Sequence, residues 1–133
     1  MNGNTVRFVL LTSLSAGLLS CKSSTSSSPY AGLWRSFAVN ACNLGSFTVA
    51  PNGTFSAGPG PSGVLGNDGI GDCGHLFVTS KISSAGDVTG TLKVSASPYT
   101  LTGSCTTDSL CSGTVPDHLG SFTGAPAIFG MVR

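Results

Sequence analysis

Histidine and aspartate lie close together at two places in the sequence, and these residue types suit acid–base or metal chemistry. Asp72 is followed by His75, and Asp117 is followed directly by His118. Such side chains can hold a metal ion, and a His–Asp pair can activate a serine hydroxyl. The sequence has no Gly-x-Ser-x-Gly segment to present such a serine. We therefore interpret all four as ordinary turn residues, and predict no catalytic site, no metal site and no enzyme.

Residues 67–72 read Asn-Asp-Gly-Ile-Gly-Asp, a run with the oxygen atoms that calcium prefers. Calcium takes six or more oxygen ligands and usually both oxygens of one acidic side chain. The run lacks the spacing of an EF-hand loop, and the sequence contains no glutamate. It therefore predicts a turn, and we expect no cofactor.

Charged residues make up 8% of the sequence, against roughly 25% in an average soluble protein. Nucleic-acid binding needs clustered lysine and arginine that displace counterions from phosphates. The basic residues here are scattered along the chain, at Arg7, Lys22, Arg35, Lys81, Lys93 and Arg133. We therefore predict no nucleic-acid partner.

The first 20 residues have the composition of a secretory signal peptide. Arg7 supplies a positive charge, and residues 8–19 form an apolar run too short to span a bilayer as a helix. Residues 18–21, Leu-Leu-Ser-Cys, resemble the lipobox of bacterial lipoproteins. The resemblance implies cleavage before Cys21 and its acylation by palmitate-type chains, which attach the protein to a membrane. The alternative is an ordinary signal peptide followed by an unmodified cysteine.

The residue after Cys21 is Lys22. In Gram-negative lipoproteins an aspartate at this position tends to retain the protein in the inner membrane. The resemblance therefore implies the outer membrane, with the domain either in the periplasm or at the cell surface. Residues 22–29 are serine-rich, which is typical of a flexible linker. The chain thus divides into a signal peptide (1–20), a lipidated cysteine with its tether (21–29) and one domain (30–133).

Four cysteines remain after Cys21, and an even number in a small exported domain predicts disulfide bonds. They are Cys42, Cys73, Cys105 and Cys111. Strand-like segments on both sides of the last two favour a bond between them across a hairpin, which leaves Cys42 with Cys73. The spacing lacks the short cysteine pairs of structural zinc sites.

Apolar and polar residues alternate between glycine-bearing turns, which predicts a series of antiparallel hairpins. In the first hairpin, a three-residue loop at 51–53 places Val49 opposite Phe55. The same register places Phe47 opposite Ala57, so that all four side chains share one face. In the second hairpin, a loop at 84–86 predicts the pairs Ile82–Val88, Val78–Leu92, Leu76–Val94 and Ser80–Gly90.

A third hairpin joins residues 99–105 to residues 111–115, with Cys105 facing Cys111 and Leu101 facing Val115. Residues 128–132 supply the last strand, and the glycine-rich residues 58–74 form a long loop. The fold class is therefore all-β, a small antiparallel meander of about eight strands closed as a barrel or folded as a two-layer sandwich. The predicted interior comprises Trp34, Phe47, Val49, Phe55, Val78, Ile82, Val88, Leu92, Leu101 and Phe122.

Gly32-Leu33-Trp34 opens the first strand and resembles the G-x-W motif that begins the first strand of lipocalin and avidin-like barrels. In lipocalins a late arginine packs across that tryptophan. The resemblance thus implies a cation–π contact between Trp34 and Arg133, worth about 0.5–2 kcal/mol. The alternative is that Trp34 is an ordinary core residue.

Together these patterns predict a non-enzymatic lipoprotein of the cell envelope with a structural or interaction role, its protein partner unknown. The alternative is a barrel that binds a small apolar ligand, with residues 58–74 as a lid. The two differ in whether the interior is filled, and the predicted apolar set is large enough to fill it. A metal-dependent hydrolase that uses His75 and His118 is a third interpretation.

Overall fold

The computed structural model describes residues 26–66, 71–115 and 127–133. Cys21, Asp117, His118 and Phe122 lie outside these ranges. The described residues form ten strands: β1 (Gly32–Trp34), β2 (Ser36–Val39), β3 (Cys42–Asn43), β4 (Phe47–Val49), β5 (Thr54–Ala57), β6 (Leu76–Ile82), β7 (Asp87–Val94), β8 (Ser97–Thr107), β9 (Leu110–Val115) and β10 (Ala127–Val132). A short 3-10 helix, Cys73–His75, precedes β6. Within the described ranges, no helix is long and apolar enough to cross a membrane.

The strands form a curled antiparallel sheet with the shape of a half-barrel. Its eight strands follow the order β3-β2-β10-β9-β8-β7-β6-β5, in which β5 to β10 are consecutive neighbours. β1 and β4 form a separate two-stranded sheet. Because β1 runs directly into β2 and β4 turns directly into β5, the small sheet links the two sides of the large one. The all-β antiparallel meander predicted from the sequence is confirmed.

The second and third hairpins have the predicted registers. The four predicted pairs between β6 and β7 are all present. Cys105 pairs with Cys111 between β8 and β9, and Thr102 pairs with Thr114, one step before the predicted Leu101–Val115 position. Both predicted disulfides are formed, Cys42–Cys73 and Cys105–Cys111. Alternation with a period of two, combined with a short glycine turn in the second hairpin and the cysteine pair in the third, was therefore sufficient to set these registers.

The first hairpin was predicted correctly at its loop and wrongly beyond it. Ala50 N–H donates to the Thr54 carbonyl at 2.8 Å, which closes the expected loop at 51–53. The strands then separate, because β4 pairs with β1 while β5 pairs with β6. The separation lets the rings of Phe47 and Phe55 meet in the core, with centroids 4.9 Å apart.

Aromatic rings occupy the centre of the molecule. Phe37 stacks on Phe129 with ring centroids 5.3 Å apart, and it lies 6.0 Å from both Phe47 and Phe55. Trp34 stacks on Phe47 at 5.9 Å. Every member of the predicted interior set that the structure describes is buried. Phe37 and Phe129 are fully buried as well, and they were absent from that set.

The antiparallel strands give the domain two ends. The end where the described chain begins, here called the tether end, comprises residues 26–30, 51–53, 83–86 and 108–109. Hydrogen bonds hold it together, among them Ser28 N–H to the Pro51 carbonyl at 2.7 Å. The opposite end, here called the distal end, carries the turns at 40–41 and 95–96 and the long connection 58–75. There Ser95 N–H donates to the His75 carbonyl at 2.8 Å.

Candidate functional site

Asp72 lies at the distal end, where it caps the 3-10 helix. Its Oδ1 accepts a hydrogen bond from Gly74 N–H at 2.8 Å, and both carboxylate oxygens lie 3.1 Å from the nitrogen of Gly63. The hydrogen bonds from Gly74 and Gly63 lower the pKa of Asp72 below its ordinary value. His75 follows in the same helix and its side chain is exposed. The carboxylate therefore serves to join two turns of the connection 58–75.

The histidines and aspartates considered as possible metal ligands are not all among the residues that the structure describes. Among residues 26–66, 71–115 and 127–133, no group of three or more histidine, cysteine or acidic side chains lies close enough to hold a metal ion. Asp117 and His118 fall in a part of the chain outside those ranges, as do four of the six residues of the calcium-like run.

We expect the turn around Asp72 to loosen at acid pH. A lowered pKa means that the charged carboxylate is favoured in the folded state. The stabilisation is therefore complete above the ordinary value of 3.8 and is lost as the pH falls through the lower folded value. NMR shifts of the Gly63 and Gly74 amides should report this transition, and Asp72→Asn should abolish it. A transition midpoint at or above 3.8 would contradict this account.

Arg133 closes the tether end over Trp34. Its guanidinium carbon lies 5.6 Å from the centroid of the indole, which is the contact implied by the G-x-W resemblance. The guanidinium also donates to the carbonyls of Pro29 at 3.1 Å, Asp108 at 3.0 Å and Ala31. One side chain thus joins the start of β1, the β8–β9 turn and the aromatic core.

We expect Arg133→Ala to lower the free energy of unfolding by roughly 1–3 kcal/mol, because three carbonyls lose a charged donor. Denaturant unfolding followed by Trp34 fluorescence would measure this change. Arg35→Ala is the matched control, since that arginine is exposed and surface changes are usually within about 0.5 kcal/mol. Equal losses in both variants would show that the guanidinium contacts do not stabilise the domain.

The distal end presents two exposed apolar side chains in the described part of the connection 58–75. Val64 is 46% exposed and Leu65 is 74% exposed. Cys73 N–H donates to the Val64 carbonyl at 2.8 Å, and Leu65 forms a β-bridge with Asp72. The Cys42–Cys73 disulfide ties this connection to β3. The hydrogen bond, the β-bridge and the disulfide therefore hold these two side chains outward on a braced backbone.

One continuous cluster of buried side chains lies at the centre of the part of the chain that the structure describes. Trp34, Phe37, Leu92, Leu101 and Met131 are all fully buried and belong to one continuous core cluster. Protein interiors of this kind are packed as densely as organic crystals. The side chains of the chain itself thus occupy the centre of the fold.

No family model, no curated protein and no solved structure matches this chain. Its own residues and their arrangement are therefore the basis for any assignment of a role.

Proposed function

We propose that this protein is a lipoprotein of the bacterial cell envelope, anchored through an acylated Cys21 in the outer membrane. Its β domain would have a structural or interaction role and no enzymatic activity. Support for the anchor comes from the signal-like residues 1–20, the lipobox-like residues 18–21 and the serine-rich tether that follows.

The disulfides support an exported location. Cys42–Cys73 and Cys105–Cys111 account for every cysteine after Cys21. Structural disulfides persist in oxidising compartments such as the periplasm and the cell surface, whereas reducing systems in the cytosol keep thiols free. A small domain cross-linked by two disulfides is therefore consistent with the export that the signal-like residues 1–20 imply.

The observation that carries the interaction role is the combination of a filled core with an exposed apolar contact point. Val64 and Leu65 lie on the distal end, and the chain enters the fold at the tether end. A domain tethered in this way would hold Val64 and Leu65 away from its anchor. The partner we propose is an envelope protein that offers an apolar pocket to these two side chains.

The intact mass of the native protein, extracted from membranes under non-denaturing conditions, tests the anchor. We expect the mass of residues 21–133 less four hydrogens for two disulfides, plus acyl chains. A Cys21→Ala variant should lose the acyl mass and leave the membrane fraction. Native protein without lipid would refute the anchor.

The same measurement separates the interaction role from the alternative of a small apolar ligand. Added mass that leaves on denaturation and does not match a membrane phospholipid would indicate a retained apolar ligand and would contradict the filled-core argument. Protease accessibility on intact cells would then distinguish a surface-facing domain from a periplasmic one.

A further inference from the structure

A cleft of about 330 Å³ opens at the tether end, where three separate segments of the chain meet. Its polar side chains are those of Ser26, Ser28, Asn52, Lys81, Ser83 and Ser84. The volume lies at the lower limit of small-molecule sites, which begin at roughly 300 Å³. None of the described residues that line the cleft is acidic. The composition therefore suits an anion.

Hydrogen bonds of the neighbouring turns make the cleft rich in donors. Ser28 Oγ accepts from Tyr30 N–H at 3.1 Å, and Ser83 Oγ accepts from Asp87 N–H at 3.0 Å. A hydroxyl whose oxygen is engaged in this way keeps its own hydrogen available to donate. Both serines can therefore donate to a bound group.

Asn52 and Lys81 add further donors. Asn52 Oδ1 accepts from the Thr54 N–H at 3.1 Å and from the Thr54 hydroxyl at 2.7 Å, which leaves the Asn52 NH2 group free to donate. Lys81 pairs across the sheet with Thr54 and Thr89, so no carboxylate lies directly opposite it on either side. A phosphate group, with oxygen acceptors and negative charge, matches this set of donors.

The cleft also lies where a membrane anchor would bring the lipid surface. Ser28 N–H donates to the Pro51 carbonyl, which holds the incoming chain against the rim. Cys21 precedes Ser26 by five residues, and five extended residues span at most about 18 Å. An acylated Cys21 would therefore keep the cleft within reach of phospholipid headgroups.

We propose that the tether-end cleft binds the phosphate of a membrane phospholipid headgroup, so that the domain docks on the lipid surface by this end. The location rests on the proposed anchor, whereas the donor chemistry of the cleft does not. Docking by the tether end would direct Val64 and Leu65, at the distal end, away from the lipid surface.

Vesicle binding by the chain from residue 21 onward, with Cys21→Ser, tests this proposal without any acyl group. This chain retains every buried core residue, since the core runs from Trp34 to Met131 in the described part. We expect it to sediment with vesicles of phosphatidylcholine and phosphatidylglycerol. Lys81→Ala should weaken binding about fivefold, the usual effect of one cationic side chain at an anionic surface.

Lys93→Ala is the matched control, because Lys93 is an exposed lysine near the distal end of β7. Binding that falls equally in both lysine variants would indicate unspecific attraction to anionic lipid and would overturn the proposal. Asn52→Asp keeps the acceptor for Thr54, removes the two donors and adds a negative charge. We expect it to bind vesicles at least fivefold more weakly with an unchanged unfolding midpoint.

Inorganic phosphate distinguishes a lipid site from a soluble-anion site. Phosphate that saturates the cleft, seen in the NMR shifts of the Asn52 side-chain amide, while vesicles fail to bind would overturn the lipid assignment. Because the tested chain cannot be acylated, failure to bind vesicles refutes the headgroup site alone. Native protein without acyl mass refutes the anchor alone.

Discussion

Replacing Phe37 by alanine should lower the free energy of unfolding by about 3–5 kcal/mol, the usual cost of removing a buried phenylalanine side chain. Phe37 is fully buried and contacts Phe129, Phe47 and Phe55. Its removal would leave a cavity where β2, β4, β5 and β10 meet. Urea unfolding followed by Trp34 fluorescence would measure the loss.

Leu33→Ala is the control for this experiment. Leu33 lies on β1 beside the same core, and its side chain is 67% exposed. Its replacement should change the free energy of unfolding by no more than about 0.5 kcal/mol. A Phe37→Ala variant no less stable than Leu33→Ala would mean that the aromatic cluster does not hold the two sheets together.

Removing the Cys42–Cys73 disulfide should destabilise the domain by about 3.7 kcal/mol in the chain-entropy model. The two cysteines are 31 positions apart and both are fully buried, so alanine is the appropriate replacement. The measurement is denaturant unfolding of the Cys42→Ala, Cys73→Ala double variant without reductant. The same variant should also detach from β3 the connection that carries Val64 and Leu65.

The Cys105–Cys111 disulfide provides the comparison. Its cysteines are only 6 positions apart, so it restrains the unfolded chain less. The corresponding double alanine variant should lose about 2.4 kcal/mol. If this short-loop variant proved the less stable of the two, native-state packing and not loop closure would govern the contribution of these bonds.

Pairings within the second and third hairpins could be predicted because the loop and the register are coupled, whereas the strands of the first hairpin separate to pair with β1 and β6. A glycine turn of known length, followed by apolar residues at every second position, leaves one register that buries both strands' apolar faces. Ile82 therefore had to face Val88. Cys105 and Cys111 are joined by a turn without glycine, and the strand-like segments on both sides of them predicted that pair. The disulfide pairing of Cys42 with Cys73 then followed by elimination.

Pairings between distant segments could not be predicted in this way. β10 pairs with β2, so that Met131 lies opposite Phe37 across more than 90 positions of the chain. No short turn connects such strands. Which strands pair therefore depends on how the side chains fill the centre of the fold. The packing of Phe129 shows how side chains decide these contacts. Gly103 and Gly113 pair beside its ring, and a Cβ added at Gly113 would lie only 2.7 Å from that ring.

The tether-end cleft is likewise a feature that the sequence alone could not predict. Ser28, Asn52, Lys81 and Ser83 come from three segments, and none of them carries a motif that singles it out. Their donors converge because the turns at 51–53 and 83–86 lie at one end of the antiparallel sheet.

Local patterns of alternation, turns and cysteines determined the fold class, two hairpin registers and the disulfides. Long-range packing of aromatic side chains decided how the two sheets join and which polar groups meet at each end, because only the folded chain brings those segments together.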